Sequence, residues 1–224
     1  MNQNSNSMDI QAENWLKRIE QNSTDKTPSK LQGFACGISQ SRACDLLTAA
    51  YGSAMKKRGV SAELDDATRT RLAKISKWLV KHDCPGLLLY GYCGIGKTTM
   101  LKSLFDVLNI GRGYDRVIFI TASDIYDYIK NEDMQGRYKQ LESVPVLLID
   151  DIGCEPERCL VYGTHREPVR DLLLTRYDRL LITVVTTNLD DAKIKERYGE
   201  RVSDRLGEVF DKLTFTGTSY RNRR

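Results

Sequence analysis

The stretch that decides the fold is Gly86-Leu87-Leu88-Leu89-Tyr90-Gly91-Tyr92-Cys93-Gly94-Ile95-Gly96-Lys97-Thr98-Thr99. Its first five residues form a continuous apolar run, which is typical of a strand buried on both faces. Residues 91–98 match the pattern GxxxxGK[ST], and a helical pattern over residues 97–108 follows directly. Strand, glycine-rich turn and helix in this order predict a phosphate-binding loop in a parallel α/β sheet.

The residue types in this turn suit a nucleoside triphosphate. Glycines allow backbone angles that turn successive N–H groups toward one anion. Lys97 would place an ammonium group on the β- and γ-phosphates, and Thr98 would offer its hydroxyl to Mg²⁺. We therefore predict ATP and Mg²⁺ as ligands, bound by Gly91, Tyr92, Cys93, Gly94, Ile95, Gly96, Lys97, Thr98 and Thr99.

A second acidic motif lies about 50 residues downstream, where the apolar run of residues 146–149 ends in Asp150 and Asp151. Two aspartates after a strand often form no more than a solvated turn. Their place after a phosphate-binding loop favours another interpretation, in which Asp150 holds Mg²⁺ with Thr98 and Asp151 polarises the attacking water.

A third polar group follows another apolar run, at Thr186-Thr187-Asn188. The carboxyl ends of parallel strands face a bound nucleotide in sheets of this kind. Asn188 is therefore a candidate to contact the γ-phosphate or orient the water. It could equally cap the helix that begins near Asp190.

The alternation of short apolar runs and helical patterns predicts a P-loop NTPase fold with a five-stranded parallel sheet flanked by helices. The predicted strands cover residues 86–90, 116–121, 146–149, 181–186 and 213–216, and helices are predicted at 97–108, 122–130 and 166–178. Before them, helical spacing over residues 41–55 and from about Ser61 predicts a small helical region. We therefore divide the chain into an N-terminal region, residues 1–80, and an ATPase domain, residues 81–224.

Composition and charge limit the classes of protein to which the chain can belong. The net charge is +4, and residues 1–80 hold 12 basic against 8 acidic side chains. No stretch reaches the roughly 20 apolar residues that cross a bilayer, and the first residues do not resemble a secretion signal, so we expect a cytoplasmic protein without membrane contact. Six cysteines without a CxxC pair do not indicate a zinc site.

The order of motifs resembles one family. The glycine-rich loop, Leu147-Leu148-Ile149-Asp150-Asp151-Ile152-Gly153, Thr186-Thr187-Asn188-Leu189 and Gly199-Glu200-Arg201-Val202-Ser203-Asp204-Arg205 together look like the DnaC/IstB-type AAA+ ATPases. These are bacterial and phage helicase loaders and helpers of transposases. The resemblance covers roughly residues 80–221 and implies an AAA+ fold without a separate C-terminal lid.

The resemblance also implies roles. Arg205 corresponds to the arginine that reaches the ATP of the next subunit, with Arg201 beside it, and Arg221 corresponds to a second γ-phosphate contact. Alternatively, Arg205 is a surface arginine paired with Glu200 or Asp204, and Arg221 belongs to a basic tail. The implied function is an ATP-dependent DNA replication protein that loads a replicative helicase through residues 1–80, contacts single-stranded DNA and forms a homo-oligomer with ATP.

Other functions fit parts of the pattern. A transposition helper of the IstB type would have a nearly interchangeable ATPase domain and a transposase as its partner. Asp151, where many relatives have glutamate, favours a switch that binds ATP without turnover. A small-molecule kinase also uses a P-loop but would lack the paired aspartates. A GTPase would need an Asn-Lys-x-Asp motif, which the sequence does not contain.

Overall fold

A parallel five-stranded sheet forms the centre of the computed structural model, which describes residues 39–59, 64–81, 84–109 and 117–217. Its strands are β1 (Gly86–Gly91), β2 (Val117–Thr121), β3 (Val146–Ile152), β6 (Ile182–Thr187) and β7 (Phe210–Phe215). Their order across the sheet is β2-β3-β6-β1-β7, and every neighbouring pair is parallel. The predicted fold class is confirmed.

Helices cover both faces of the sheet. They are α1 (Gln40–Lys57), α2 (Asp66–Lys81), α3 (Lys97–Asn109), α4 (Ala122–Lys130), α5 (Gln135–Ser143), α6 (Pro168–Asp178), α7 (Asp191–Tyr198) and α8 (Glu200–Val209). A short hairpin of β4 (Cys159–Val161) and β5 (Thr164–Arg166) precedes α6. In the described part of the chain, no helix is long and apolar enough to cross a membrane.

The two helices α1 and α2 belong to the same core as the sheet. Leu47, Tyr51 and Met55 of α1 and Leu72 and Leu79 of α2 are buried in one cluster with side chains of β1 and α3. The hydrophobic core is therefore continuous across the predicted boundary at residues 80 and 81. Residues 1–38 and 60–63 of the predicted N-terminal region lie outside the described residues.

Several predicted boundaries were wrong, among them the start of β7, which lies at Phe210 and not at residue 213. The helix expected from about Ser61 begins at Asp66, because the Asp65 carboxylate accepts the Thr68 N–H at 2.8 Å and caps it there. Strand β3 runs on through Ile152 instead of ending at residue 149, with a register shift against β6 between Ile149 and Ile152. Residues 164–166 form β5 and not the start of a helix, since α6 begins only at Pro168.

Candidate functional site

The site lies where three neighbouring strands end. Strand β6 lies between β3 and β1, and all three run in the same direction. Their carboxyl ends therefore bring together the loop of residues 91–98, the Asp150–Asp151 pair and Asn188. The sheet order thus brings together residues that are up to 97 positions apart in the sequence, from Gly91 to Asn188.

The loop of residues 91–98 has a backbone that side-chain-bearing residues rarely adopt. Gly91, Gly94 and Gly96 have φ angles of 148°, 83° and 91°. A Cβ atom on Gly91 would lie 2.1 Å from the backbone oxygen of Phe215 on β7. The Ile95 side chain is buried and anchors the loop to the hydrophobic core, whereas the Tyr92 and Cys93 side chains are exposed. Positive φ angles of this kind are those that the predicted anion cradle at the start of α3 requires.

Lys97 is buried at the centre of the site. Its ammonium group donates to the backbone oxygens of Gly91 at 2.6 Å and Tyr92 at 2.8 Å, and to Asn188 Oδ1 at 2.7 Å. Burial lowers the pKa of Lys97, and the carboxylate of Asp151 acts in the opposite direction. Three neutral oxygens thus hold the ammonium group next to the loop. A phosphate oxygen can replace any one of these three acceptors.

Thr98 and Asp150 meet as expected of a magnesium site. The Thr98 hydroxyl donates to Asp150 Oδ1 at 3.1 Å, and the same carboxylate oxygen accepts the Thr186 hydroxyl at 2.7 Å. Asp150 is only 7% exposed, so Thr186 fixes its orientation in a buried position. A hydroxyl and a carboxylate that converge beside the predicted phosphate-binding loop are oxygen ligands of the kind that Mg²⁺ prefers.

Asp151 has an unusual backbone. Its φ angle of 64° lies in the left-handed region, and the register shift of β3 occurs at this point. The Thr186 hydroxyl accepts the Asp151 N–H at 2.8 Å, and Asn188 Nδ2 donates to Asp151 Oδ1 at 2.9 Å. The irregularity directs the Asp151 carboxylate away from the sheet and toward Asn188 and Lys97.

Asn188 connects the parts of the site. Its amide accepts from Lys97 and donates to Asp151, so it sets the positions of both. The alternative in which Asn188 caps a helix is wrong, because Asp190 caps α7 and accepts the Lys193 N–H at 2.9 Å. Near this group, burial raises the pKa of the Cys154 thiol to about 11, with a further contribution from its hydrogen bond to Asp151.

The sequence motifs include Thr186 but gave it no role, although its hydroxyl donates to Asp150 and accepts the Asp151 N–H. Thr186 lies on β6 two residues before Asn188, which directly follows the strand, so an extended chain places both side chains on one face. That alternation is the signal that could have found it. The motifs also gave no sign of Arg58, whose guanidinium donates to the Thr99 hydroxyl at 2.9 Å. Thr99 itself is buried beneath the end of α1.

Arg205 lies on α8, and its side chain is 39% exposed. The guanidinium stacks 4.3 Å from the ring centroid of Tyr177, donates to the Tyr177 hydroxyl and pairs with Glu208 at 3.1 Å. The predicted alternative partners were Glu200 and Asp204, but Glu200 pairs with Lys195. Arg201 is exposed one turn earlier on the same helix. Arg221 lies outside the described residues.

A buried ionic group joins β3 to α7. The Glu155 carboxylate accepts the Gly153 N–H at 2.8 Å and the Tyr198 hydroxyl at 2.6 Å, and lies 3.5 Å from Arg197. Glu155 is 5% exposed and Tyr198 is 4% exposed. This contact ties the segment after Asp151 to the helix that precedes Arg201 and Arg205.

Comparison with known proteins agrees with this geometry. The family model of the bacterial DnaA ATPase domain matches residues 58–158. The replicative helicase loader DnaI of Bacillus subtilis (strain 168) is 23% identical over 143 residues, which are 61% of this chain and 45% of that protein. A crystal structure of DnaI superposes with a TM-score of 0.55 at 20% identity, covering 69% of this chain and 85% of that one. For a DnaC helicase loader the TM-score is 0.53 at 21% identity, covering 68% and 92%.

The chain has the AAA+ ATPase fold. The resemblance to DnaC-like AAA+ proteins is confirmed by the same comparisons. The matched part of the chain spans less than half the length of this curated relative.

Proposed function

We propose that the AAA+ domain binds ATP with Mg²⁺ at residues 91–98 and hydrolyses the ATP. One observation carries the proposal: the buried ammonium group of Lys97, the Thr98–Asp150 pair and the Asp151–Asn188 pair converge at the ends of three adjacent strands. Each of the three supplies a different part of the chemistry, and none of their residues belongs to the hydrophobic core clusters.

Different residues carry out different parts of phosphoryl transfer. The loop amides and Lys97 bind the phosphates and hold the γ-phosphate near Asp151 and Asn188. Thr98 and Asp150 would hold Mg²⁺, and the bound ion would supply positive charge beside the phosphates. Asp151 accepts a proton from, or orients, the attacking water, and Asn188 fixes the carboxylate in position.

The roles of Arg205 and Arg201 require a second copy of the chain. Arg205 is displayed on α8, where in the described part of the chain its hydrogen-bond partners are Tyr177 and Glu208. A guanidinium held at the surface in a defined orientation suits insertion into the site of a neighbouring subunit. We therefore propose a homo-oligomer, assembled with ATP, in which Arg205 stabilises the transition state and Arg201 supports it. Arg221 stays a predicted γ-phosphate contact.

Within DNA replication, we propose a loader of a replicative helicase. The supporting observation is the similarity to proteins described as helicase loaders, DnaI and DnaC. Residues 1–80 would dock the helicase, residues 81–224 would supply the ATPase, and single-stranded DNA would be a second ligand, all in the cytoplasm. A transposition helper of the IstB type is the second candidate, because the sequence motifs of residues 147–153 and 199–205 fit it equally.

Phosphate release by the full chain tests the enzymatic part. We expect turnover with Mg²⁺-ATP that rises when the replicative helicase of the same organism and single-stranded DNA are added. The absence of turnover in every combination, with ATP binding intact, would instead establish a switch without hydrolysis.

The partner is tested by immobilising the full chain with ATP and offering the helicase and a transposase separately. Retention of the helicase alone supports the loader. If the transposase is retained and the helicase is not, the chain is a transposition helper.

The substitution Asp151→Asn tests the proposed base. Asparagine keeps the shape of the side chain and an oxygen that accepts from Asn188, but it removes the negative charge. We expect ATP binding to be nearly unchanged and turnover to fall by about 10²- to 10⁴-fold, the usual contribution of a general base. Asp127→Asn, at an exposed position on α4, is the matched control and should hydrolyse at the normal rate. Normal turnover in Asp151→Asn would rule out this role.

A further inference from the structure

The end of α1 lies against the start of α3. Arg58 is the C-cap of α1, and its backbone N–H bonds the carbonyl of Met55 at 3.0 Å. Gly59 follows with a φ angle of 68°, which turns the chain away. Because Tyr51 and Met55 are buried in the core shared with α3, the Arg58 backbone has a fixed position beside the phosphate-binding loop.

The Arg58 side chain extends from this point to the first turn of α3. Its Nη1 donates to the Thr99 hydroxyl at 2.9 Å, while the residue as a whole stays exposed. No carboxylate forms an ion pair with Arg58 among the residues that the structure describes. A guanidinium has five N–H donors, so four of them are not used by Thr99. An arginine without an ionic partner therefore stands next to a site built for an anion.

The position of Thr99 shows which part of a nucleotide Arg58 would meet. Lys97 points toward Asn188 and the aspartates, the side of the site where the γ-phosphate is cleaved. Thr99 lies beyond Thr98 in the chain, and its side chain faces α1 instead of Asp150. In a P-loop the lysine and the following hydroxyl serve the β- and γ-phosphates and Mg²⁺, whereas the loop amides also hold the α-phosphate. Lys97 and Thr98 face Asn188 and Asp150, so the α-phosphate is the one left for the side that Thr99 and Arg58 occupy. The two cations thus serve opposite ends of the phosphate chain.

We propose, on the basis of the nucleotide site proposed above, that Arg58 is a further nucleotide-binding residue whose guanidinium binds the α-phosphate. Thr99 holds the guanidinium in place, and the unused donors face the ligand. Arginine suits this position because its planar group can bond a fixed hydroxyl and a phosphate oxygen together. The residue binds the part of the nucleotide that ATP and ADP share, and it takes no part in cleavage.

This location predicts a distinctive pattern of affinities. The dissociation constants of Mg²⁺-ATP and Mg²⁺-ADP are measured by calorimetry for the full chain, Arg58→Ala, Arg58→Gln and Lys57→Ala. We expect Arg58→Ala to weaken ATP and ADP by the same factor, about tenfold or more, as a lost charge-assisted hydrogen bond implies. Lys57→Ala removes an adjacent exposed charge and should bind both nucleotides normally.

Thermal unfolding separates binding from a purely structural bond between α1 and α3. If Arg58 binds nucleotide, Arg58→Ala keeps nearly the Tm of the nucleotide-free protein and loses part of the rise that nucleotide causes. A lower Tm without nucleotide, with unchanged affinities, would overturn the proposal and leave a structural role. Arg58→Gln keeps an N–H donor for the Thr99 hydroxyl but removes the charge. Should Arg58→Ala fail to fold, Arg58→Gln allows the same comparison of Tm with and without nucleotide.

Two further outcomes would also overturn the proposal: wild-type affinity for both nucleotides in Arg58→Ala, or a loss confined to ATP, which would place the guanidinium at the γ-phosphate. Failure of the unmodified chain to bind either nucleotide would be a different result, because it removes the nucleotide site itself.

Discussion

The substitution Lys97→Ala is expected to abolish tight ATP binding. The ammonium group is buried and already bonds three oxygens in the site, so it needs little rearrangement to bond phosphate oxygens. A hydrogen bond to a charged group contributes about 1.5–3 kcal/mol. Lys97 would donate at least one such bond to the oxygens of the β- and γ-phosphates. An affinity loss of about 100-fold follows for a contribution of about 3 kcal/mol.

Calorimetric titration with Mg²⁺-ATP measures this loss. Lys102→Ala is the matched control, because Lys102 lies exposed on the same helix and contacts Phe119 instead of the loop. We expect Lys102→Ala to bind ATP normally and both variants to remain folded. Equal affinities in Lys97→Ala and the unmodified chain would show that the loop does not bind the triphosphate in the proposed way.

The second large effect is expected from the substitution Arg205→Ala, which should lower the rate of ATP turnover and not the affinity for ATP. An arginine that reaches the γ-phosphate from a neighbouring subunit contributes about 10³–10⁵ in rate in comparable ATPases and GTPases. The Arg205 side chain is held outside the site of its own chain by Tyr177 and Glu208. Arg205→Ala should therefore bind ATP nearly normally and lose the turnover that depends on assembly. Arg179→Ala, an exposed arginine at the end of α6, serves as the control.

A mixing experiment shows whether Arg205 acts between subunits. Asp151→Asn binds ATP and retains Arg205, whereas Arg205→Ala retains Asp151. If Arg205 acts on the neighbouring site, a mixture of the two variants regains part of the turnover that each lacks alone. If the arginine acts within its own chain, the mixture stays as inactive as its components.

Much of this site was predictable because each of its motifs is local in sequence, although the motifs lie far apart in the chain. The pattern of residues 91–98 requires glycines and a lysine within eight positions, and the strand pattern places Asp150 and Asn188 at the ends of parallel strands. These residues do converge in the structure. The five-stranded parallel sheet followed from the same alternation of apolar runs and helices, since strands buried on both faces are continuous apolar segments.

The residues that sequence patterns missed depend on tertiary contacts. Thr186 looks like an ordinary β-branched strand residue until the β3–β6 pairing places its hydroxyl on Asp150. Arg58 lies at the end of a helix that was assigned to a separate region, and only the packing of α1 on α3 brings it to Thr99. The left-handed backbone of Asp151 was also not predictable, because it arises from the register shift between β3 and β6.

The central claim is that residues 91–98 bind a triphosphate together with Thr98 and Asp150. Calorimetric titration of the unmodified chain with a non-hydrolysable ATP analogue, with and without Mg²⁺, tests it most directly. The structure predicts saturable binding of one nucleotide per chain that weakens when Mg²⁺ is removed. No heat of binding at millimolar analogue and millimolar Mg²⁺ would contradict the claim.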